Sequence, residues 1–211
     1  MSLVEATLRS AQVLEGSFLQ VWRDDIRAPD GGLHTREYIK HPGAVVVVAL
    51  LDEQTAVLER QYRYPLRRVM REFPAGKLEA NERGAAGAGA VAGATPGVWA
   101  CAQRELAEET GYTAANWAYA GAMHNAIAYS DEIIHICFAK DLQPGQQRLD
   151  SGEFLEVLSA SFAELVAMTL SGQITDAKTS TALLWWQQLR LGTWQPSWLD
   201  SSALAGLDVQ P

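Results

Sequence analysis

Residues 104–112 read Arg-Glu-Leu-Ala-Glu-Glu-Thr-Gly-Tyr, and more can be inferred from them than from any other stretch of the chain. On a helix, positions i, i+3 and i+4 share a face, so Glu105, Glu108 and Glu109 project three carboxylates from about one turn. Like charges at that spacing repel, which indicates that a cation holds them. Oxygen ligands favour Mg²⁺ or Mn²⁺, and Mg²⁺ is commonly shared with substrate phosphates. The stretch therefore predicts metal-assisted chemistry on a phosphate compound.

A second motif, Gly76-x5-Glu82, lies upstream of the first. Alone, residues 104–109 fit an ordinary solvated helix face, and the addition of Gly76, Glu82 and Gly111 favours a functional site. Together the two motifs resemble the halves of the Nudix box, G-x5-E-x7-R-E-U-x-E-E-x-G-U with U apolar. Where the family has seven residues between the first Glu and the Arg, this chain has twenty-one, residues 83–103, an excess of fourteen.

The flanking segments resemble the ADP-ribose pyrophosphatase branch of the Nudix family. Residues 72–79 (Glu-Phe-Pro-Ala-Gly-Lys-Leu-Glu) are similar to the branch's E-x-P-A-G-K-x-E, and residues 61–65 (Gln-Tyr-Arg-Tyr-Pro) to its Q-Y-R-x-P. Its S-D-E, acidic-loop and I-x-D-x-K-T motifs resemble residues 129–132, 150–157 and 174–179. Because all five segments follow the family's order, the resemblance covers most of the chain.

Composition indicates a globular protein and excludes some other classes. The chain has 211 residues, 48% of them hydrophobic, which is enough for a sizeable core. The longest apolar run, residues 44–51, has the length of a buried strand rather than of a membrane helix. A net charge of −8 argues against nucleic-acid binding. Two cysteines and four histidines without zinc spacing predict neither a disulfide framework nor a zinc site. Residues 1–10 lack the pattern of a secretory signal, so we expect a cytoplasmic protein.

Hydrophobic patterns predict an α+β fold. Strands are predicted at residues 18–26, 34–41, 45–51, 55–62, 117–124 and 132–140, and helices from near 98, at 161–170 and at 176–191. The first two strands form a hairpin around residues 29–32, and the next two are predicted to pair through a turn at 52–54. The resemblance implies an α/β/α sandwich with a mixed sheet at residues 44–211, after a small N-terminal antiparallel β element at 1–43.

The Gly/Ala-rich tract at residues 84–97 interrupts the box where the catalytic helix should begin. It has almost no side chain able to coordinate or titrate, and we interpret it as a looped-out insertion. Loop entropy grows slowly with length, so the flanks can keep their arrangement if the ends of the tract stay close. The alternative is that the Ala-rich stretch extends the helix and moves Glu82 away from Glu105, although each glycine disfavours a helix interior.

The resemblance implies a metal site. Glu105 and Glu109 would be the main metal ligands, beside the backbone carbonyl of Ala75. Glu108 would be a third carboxylate of the cluster. Glu153, in the acidic loop, would complete the metal site or act as general base.

It also implies supporting and substrate-binding roles. Arg104 would orient a neighbouring glutamate, and Glu82 would be a supporting carboxylate. Asp150 is the second choice for the general base. Arg63 and Glu72 would contact the nucleotide end of the substrate, with a salt bridge between two strands as the alternative.

The activity implied by the resemblance is Mg²⁺-dependent hydrolysis of ADP-ribose to AMP and ribose 5-phosphate, with Mn²⁺ as another possible ion. Relatives acting on ADP-ribose commonly have a proline where this chain has Ile127 and Ala128, which leaves room for a GDP-sugar or a dinucleotide coenzyme. A non-enzymatic alternative is a nucleotide sensor whose interrupted box misplaces Glu82. Similar enzymes are homodimers, and the segment 22–38 is expected to contact a partner copy.

Overall fold

A computed structural model describes residues 2–82 and 94–205 of the chain. The strands are β1 Ala6–Glu15, β2 Gln20–Arg27, β3 Leu33–Lys40, β4 Ala44–Ala49, β5 Thr55–Arg63, β6 Arg68–Glu72, β7 Ala75–Lys77, β8 Tyr112–His124, β9 Ile133–Pro144, β10 Leu155–Ser161 and β11 Leu199–Asp200. The helices are α1 Pro96–Thr110, α2 Phe162–Leu170, α3 Ala177–Arg190 and α4 Ser201–Ala205, with a 3-10 turn at Tyr64–Leu66. None of the described helices is long and apolar enough to cross a membrane.

The chain opens with a three-stranded antiparallel sheet in the order β1-β2-β3. The hairpin of β2 and β3 confirms the predicted N-terminal β element, and its turn uses Gly31 at φ +88°. β1 was not predicted. All but one of its residues are exposed, so its sequence has no alternation between apolar and polar residues to reveal it. The division of the chain at residue 43 is not tested by these elements and stays a prediction.

The central sheet is mixed, in the order β11-β8-β9-β4-β7, with β4 and β9 parallel and the other pairs antiparallel. All six residues of β4 are buried. Val46 and Val48 face one hydrophobic core, which also contains residues of α2 and α3, whereas Val45 and Val47 face a second core against α1. We call these the α3-side core and the α1-side core. Burying each valine side chain contributes roughly 1.5–3 kcal/mol to stability. Because helices cover both faces of the central sheet, the predicted α/β/α sandwich is confirmed.

The prediction that β4 and β5 pair was wrong. They lie in different sheets, and in the described residues their ladder contact is a single bridge between Leu50 and Ala56. The physical reason is that β9 and β7 already occupy both edges of β4. After the turn, β5 therefore pairs with β10 and β6 and forms the middle of a second, three-stranded sheet.

Helix α1 begins at Pro96, close to the predicted restart near residue 98. Thr95 caps it by accepting a hydrogen bond from the Val98 amide, and proline suits the first turn because it needs no amide donor there. The helix ends at Gly111, which takes φ +75°. The alternative of a helix extended through the Ala-rich tract was therefore wrong. Most of the predicted insertion lies outside the described residues, although its last two residues form the first turn of α1.

Helices α2 and α3 confirm the predictions at residues 161–170 and 176–191. Ser161 and Glu164 form a reciprocal capping box at the start of α2. Asp176 caps α3 by accepting a hydrogen bond from the Thr179 amide. Leu183 and Trp186 of α3 pack in the α3-side core. The first turn of α3 contacts strand β6, because Lys178 forms an ion pair with Glu72, the last residue of that strand.

Candidate active site

A cleft of about 690 Å³ lies where the N-terminal sheet meets the central sheet and α1. Phe18, Leu19 and Ile39 contribute its N-terminal wall. Seven residues predicted for the site line it: Arg63, Ala75, Glu105, Glu108, Glu109, Asp150 and Glu153. Three other predicted residues, Glu72, Glu82 and Arg104, are not among its lining residues. The structure thus brings most of the predicted residues to one cavity and places the remaining three as their neighbours.

The approach of Glu105 to β7 explains the glycine at position 76. A Cβ built on Gly76 would lie 1.8 Å from the carboxyl carbon of Glu105, so no larger residue fits while the glutamate keeps this position. Glu105 is buried, and burial raises its pKa to about 7, with repulsion from Glu108 and Glu153 adding to the effect and Arg104 opposing it. The first motif of the interrupted box is therefore in direct contact with the second.

Arg104 connects the acidic residues of both motifs. Its Nε and Nη2 donate to the two oxygens of Glu82, at 2.9 and 3.0 Å. Its Nη1 donates to Glu105 at 2.8 Å and to Glu108 at 3.0 Å, and Nη2 also reaches the Lys77 carbonyl. Arg104 thus hydrogen-bonds three glutamates, and its predicted role in orienting a neighbouring glutamate stays a prediction. Glu82 keeps its contact with α1 despite the extra residues between them.

The environment of Glu82 favours its ionised form. Burial alone would raise its pKa, but the Arg104 hydrogen bonds and the backbone amide of Glu79 lower the pKa below its usual value. Glu82 is therefore placed as an anchor for Arg104 rather than at the cleft surface.

Glu109 lies deeper than the other carboxylates of α1. Its Oε2 accepts a hydrogen bond of 2.9 Å from the Ala75 amide. Burial raises the pKa of Glu109, and the nearby Glu59 and Glu105 carboxyl groups raise it further. The contact with Ala75 occurs through its N–H group, and the predicted role of the Ala75 carbonyl as a metal ligand stays a prediction.

Glu59 was missed in the sequence. It is completely shielded from solvent, and neither of its carboxyl oxygens has a hydrogen-bond donor among the described residues. Burial and then repulsion by Glu72 raise its pKa. The available signal was an acidic residue directly after Ala56, Val57 and Leu58 in a predicted strand, a position where a buried apolar residue is expected.

Arg63 and Glu72 form a bidentate ion pair with two hydrogen bonds of 2.8 Å. Lys178 also contacts Glu72 and donates to Asp176 at 3.0 Å. Burial would raise the pKa of Glu72, but Arg63 and Lys178 lower it to about 2. The predicted alternative of a strand salt bridge is thus present, and because Arg63 also lines the cleft, substrate contact stays a prediction for it. The sequence motif at 174–179 contained Lys178 without indicating this contact.

The acidic loop brings both candidate bases to the cleft. Glu153 accepts a hydrogen bond of 3.3 Å from the Gln61 side chain, and its amide donates to the Asp150 carbonyl at 3.0 Å. Both side chains line the cavity with the α1 carboxylates. Their roles as general base or metal ligand stay predictions.

The donor set fits a hard divalent cation better than zinc, because the facing ligands are carboxylate oxygens. Burial is the main cause of the raised pKa values of Glu105 and Glu109, neighbouring carboxyl groups raise them further, and a bound cation would favour the ionised forms. Within residues 2–82 and 94–205, no three Asp, Glu, His or Cys side chains already stand in the arrangement of a metal centre. Glu105 and Glu108 instead form ion pairs with Arg104.

Comparison with known proteins finds similar sequences over most of the chain. A family model of the NUDIX domain matches residues 40–183. The ADP-ribose pyrophosphatase of Bacillus subtilis (strain 168) is 35% identical over 188 residues, which cover 88% of this chain and 94% of the relative. The ADP-ribose pyrophosphatase of Mycobacterium tuberculosis (strain ATCC 25618 / H37Rv) is 30% identical over 197 residues, 92% of this chain and 89% of the relative.

A further relative and a solved structure extend the comparison. The methanol dehydrogenase activator of Bacillus methanolicus is 34% identical over 185 residues, which cover 87% of this chain and 92% of the relative. The crystal structure of an ADP compounds hydrolase has a TM-score of 0.74 and 21% identity, with 92% of this chain and 98% of that chain covered, so it agrees in fold. The interrupted motifs, the sandwich fold and the family match lead to one conclusion: the chain belongs to the Nudix hydrolase family.

Proposed function

We propose that this Nudix hydrolase cleaves the pyrophosphate bond of a nucleoside diphosphate sugar, with ADP-ribose as substrate and AMP and ribose 5-phosphate as products. The observation that carries the proposal is the convergence of Glu105, Glu108 and Glu109 with Glu153 on one cleft. The names of the two ADP-ribose pyrophosphatases among its relatives support the choice of substrate.

Glu105, Glu109 and Glu153, with the Ala75 carbonyl, would hold the Mg²⁺ ions, and Mn²⁺ would fit the same oxygen ligands. Glu108 would be a further carboxylate at the edge of this site. Bound ions supply charge neutralisation at the phosphoryl oxygens and a lowered pKa for a bound water.

The chain's own residues prepare the reaction. Arg104 holds the α1 carboxylates in position through its bonds to Glu105 and Glu108, and Glu82 anchors Arg104. If Glu153 does not complete the metal site, it accepts the proton of the attacking water, and Asp150 is the second candidate for this role. Arg63 binds the nucleotide end of the substrate through its cleft-facing side, while Glu72 fixes the guanidinium group.

The N-terminal sheet supports a homodimer. Strand β1 exposes Leu8, Val13 and Leu14, and such apolar side chains on an edge strand are commonly covered in an assembly. Light scattering coupled to size-exclusion chromatography tests this: we expect twice the mass of one chain, and loss of the doubled mass when the three residues are replaced by serine.

A second candidate is a GDP-sugar or a dinucleotide coenzyme. Ile127 and Ala128 stand in the cleft-side segment where the resemblance leads us to expect a proline, and Ile127 is exposed. The methanol dehydrogenase activator, whose name does not mention ADP-ribose, is about as similar to this chain as the Bacillus subtilis pyrophosphatase. Sequence similarity therefore leaves room for a substrate other than ADP-ribose. The sensor alternative required a misplaced Glu82, and the Glu82–Arg104 contact favours catalysis instead.

The test is AMP formation from ADP-ribose with Mg²⁺ by the wild type, Glu109→Gln and Glu156→Gln. Glu156 is the matched control, because it is an exposed glutamate on β10 that pairs with Arg60 outside the cleft. We expect turnover by the wild type and Glu156→Gln and its loss in Glu109→Gln. Faster turnover of a GDP-sugar or a dinucleotide coenzyme would move the substrate to the second candidate. No turnover of any of them would favour the sensor.

A further inference from the structure

The acidic loop contacts the end of α1 before it reaches the cleft. The last four carbonyl groups of a helix have no partner within the helix, and in α1 they belong to residues 107–110. The Ala107 carbonyl accepts a hydrogen bond from the Gly111 amide. The next two carbonyls, those of Glu108 and Glu109, accept hydrogen bonds from the segment that follows β9.

Two consecutive residues of that segment supply these hydrogen bonds. The Arg148 backbone amide donates to the Glu108 carbonyl at 2.8 Å, and the Gln147 side-chain amide donates to the Glu109 carbonyl at 2.6 Å. Both bonds reach the backbone of residues whose carboxylates line the cleft. In the described chain Gln147 itself does not line the cleft, so any effect of Gln147 on a ligand passes through other residues.

Close backbone contact fixes where the segment crosses the helix end. A Cβ built on Gly145 would lie 2.8 Å from the Gly111 carbonyl oxygen. A Cβ built on Gly111 would lie 2.8 Å from the Gln147 backbone nitrogen and 3.0 Å from the Gly145 carbonyl oxygen. Because a side chain does not fit between the two backbones, the segment lies directly on the helix end, with the Gln147 side chain beside the Glu109 carbonyl.

The other end of the acidic loop is held by strand β5. The Glu153 carboxylate accepts a hydrogen bond from the Gln61 side chain, and Leu155, the first residue of β10, pairs with Gln61. Asp150 follows Gln147 by three residues. Asp150 and Glu153 therefore lie on a short segment between two attachments, one to α1 and one to β5.

We propose that Gln147 is a positioning residue of the active site: with the Arg148 backbone amide it holds the acidic loop against the end of α1 and so places Asp150 and Glu153 opposite the α1 carboxylates. The inference rests on the proposed function, because it takes the acidic loop as the source of a general base or a metal ligand. Reaction between groups on separate elements depends on their distance, and a displacement of about 1 Å can lower a rate by on the order of 100-fold.

Three substitutions separate the hydrogen bond of Gln147 from the size of its side chain. Gln147→Met keeps an unbranched side chain and removes the donor. Gln147→Glu directs an acceptor towards the Glu109 carbonyl, which is also an acceptor. Gln147→Lys keeps an N–H donor, and a cation is favourable at a helix C-terminus. The same three changes at Gln146, an exposed neighbour, are the controls.

The first measurement is hydrogen exchange of the full-length, metal-free protein, followed by mass spectrometry of peptides that cover residues 147–155. The Arg148 and Glu153 amides are hydrogen-bonded, so their exchange reports opening of the loop. Loss of one neutral hydrogen bond should accelerate their exchange by roughly 3–10-fold in Gln147→Met, and by more in Gln147→Glu. We expect wild-type exchange in Gln147→Lys and in the Gln146 variants.

The second measurement is steady-state turnover of ADP-ribose with Mg²⁺. We expect kcat to fall by roughly 3–10-fold in Gln147→Met, with KM little changed because the cleft residues that contact the substrate are still present. Gln147→Lys should recover the wild-type kcat. A merely structural role would lower the melting temperature and leave kcat per folded molecule unchanged. Gln147→Ala replaces the methionine variant if that variant does not fold.

Three results would overturn the proposal: wild-type exchange in Gln147→Met, faster exchange with an unchanged kcat, or a loss of kcat in Gln147→Lys as large as in Gln147→Met. The third result would mean that the N–H donor is not what matters. Absence of turnover in the wild type would reject the proposed function alone. The exchange series needs neither metal nor substrate, so wild-type exchange in Gln147→Met would still overturn the contact on which the positioning role depends.

Discussion

Gly97, in the first turn of α1, lies directly against the backbone of Glu82. A Cβ built on Gly97 would sit 1.6 Å from the Glu82 carbonyl oxygen and 2.5 Å from the carbonyl carbon. The two residues are fifteen positions apart in sequence, yet they touch, so the chain segments on either side of the tract meet. Because the neighbouring atoms are backbone, they cannot move aside as a flexible side chain would.

The contact predicts that Gly97→Ala damages the site as well as the fold. The added methyl group must push Glu82 away from α1, which disturbs its two bonds to Arg104, and overpacking of this kind costs about 1–3 kcal/mol. We expect a lower melting temperature and a several-fold lower kcat. Gly172→Ala is the control, since Gly172 has φ +74° with open space around it and lies outside the cleft. It should lose stability while keeping kcat, and equal kcat in both variants would contradict the argument.

The same contact predicts that the Gly/Ala tract is dispensable. Removal of residues 84–93 keeps Thr95, the cap of α1, and leaves Arg83, Ala94 and Thr95 to connect Glu82 to the helix. We expect ADP-ribose turnover within a few-fold of the wild type. Activity that appears only after the deletion would show instead that the tract disables the site, and would favour a sensor. Circular dichroism of both proteins checks that the deletion variant is folded.

Local patterns predicted much of the fold, and long-range pairing did not follow from them. The four valines of β4 and the capping residues Ser161 and Asp176 are short-range signals, and the elements they predict are present. The partner of β4 is β9, a strand that begins more than eighty residues later. No local pattern in the sequence indicates which strand pairs with β4. The predicted pair of β4 and β5 failed for that reason.

The residues of the site also divide into those that local patterns predict and those that depend on long-range contacts. Glu105, Glu108 and Glu109 were predictable because helical spacing alone places them on one face. Glu59 and Lys178 could not be predicted in this way, because both lie near Glu72, which belongs to a different element of the fold. They reach Glu72 only when β5, β6 and α3 pack together.

Arg104→Lys is expected to reduce kcat by roughly 10–100-fold, as for other residues that orient metal ligands. The planar guanidinium group of Arg104 forms ion pairs with Glu82, Glu105 and Glu108 at the same time. The ammonium group of lysine is a single point charge and cannot reach all three carboxylates. Steady-state kinetics with ADP-ribose measures the effect. Arg60→Lys, in an exposed pair on the second sheet, is the control and should be neutral. A neutral Arg104→Lys would mean that the carboxylates keep their positions without it.

Glu72 should make folding stability depend on acid pH. Its pKa is lowered from 4.5 to about 2, so its contribution is fully present above the unfolded pKa and is lost as pH falls towards the folded one. The shift corresponds to about 3 kcal/mol. Urea unfolding should show Glu72→Gln strongly destabilised at neutral pH, with the difference from the wild type shrinking as pH falls from about 5 towards 3. A difference that is constant over this range would contradict the linkage.

Mg²⁺ should stabilise the protein more at alkaline than at acid pH. Burial raises the pKa of Glu105 to about 7, so protons compete with a cation for this carboxyl group below that value. A ligand that binds only the folded state stabilises it by RT ln(1 + [L]/Kd), so at a fixed Mg²⁺ concentration the rise in melting temperature is larger when binding is tighter. We therefore expect the rise caused by Mg²⁺ to be larger at about pH 8 than at about pH 6, because Glu105 is mostly ionised only at the higher pH. Differential scanning fluorimetry measures the rise. Glu105→Gln removes the titrating group and should lose both the stabilisation and its pH dependence, whereas Glu156→Gln should keep both. A rise that is equal at the two pH values in the wild type would mean that Glu105 is not a ligand of the ion.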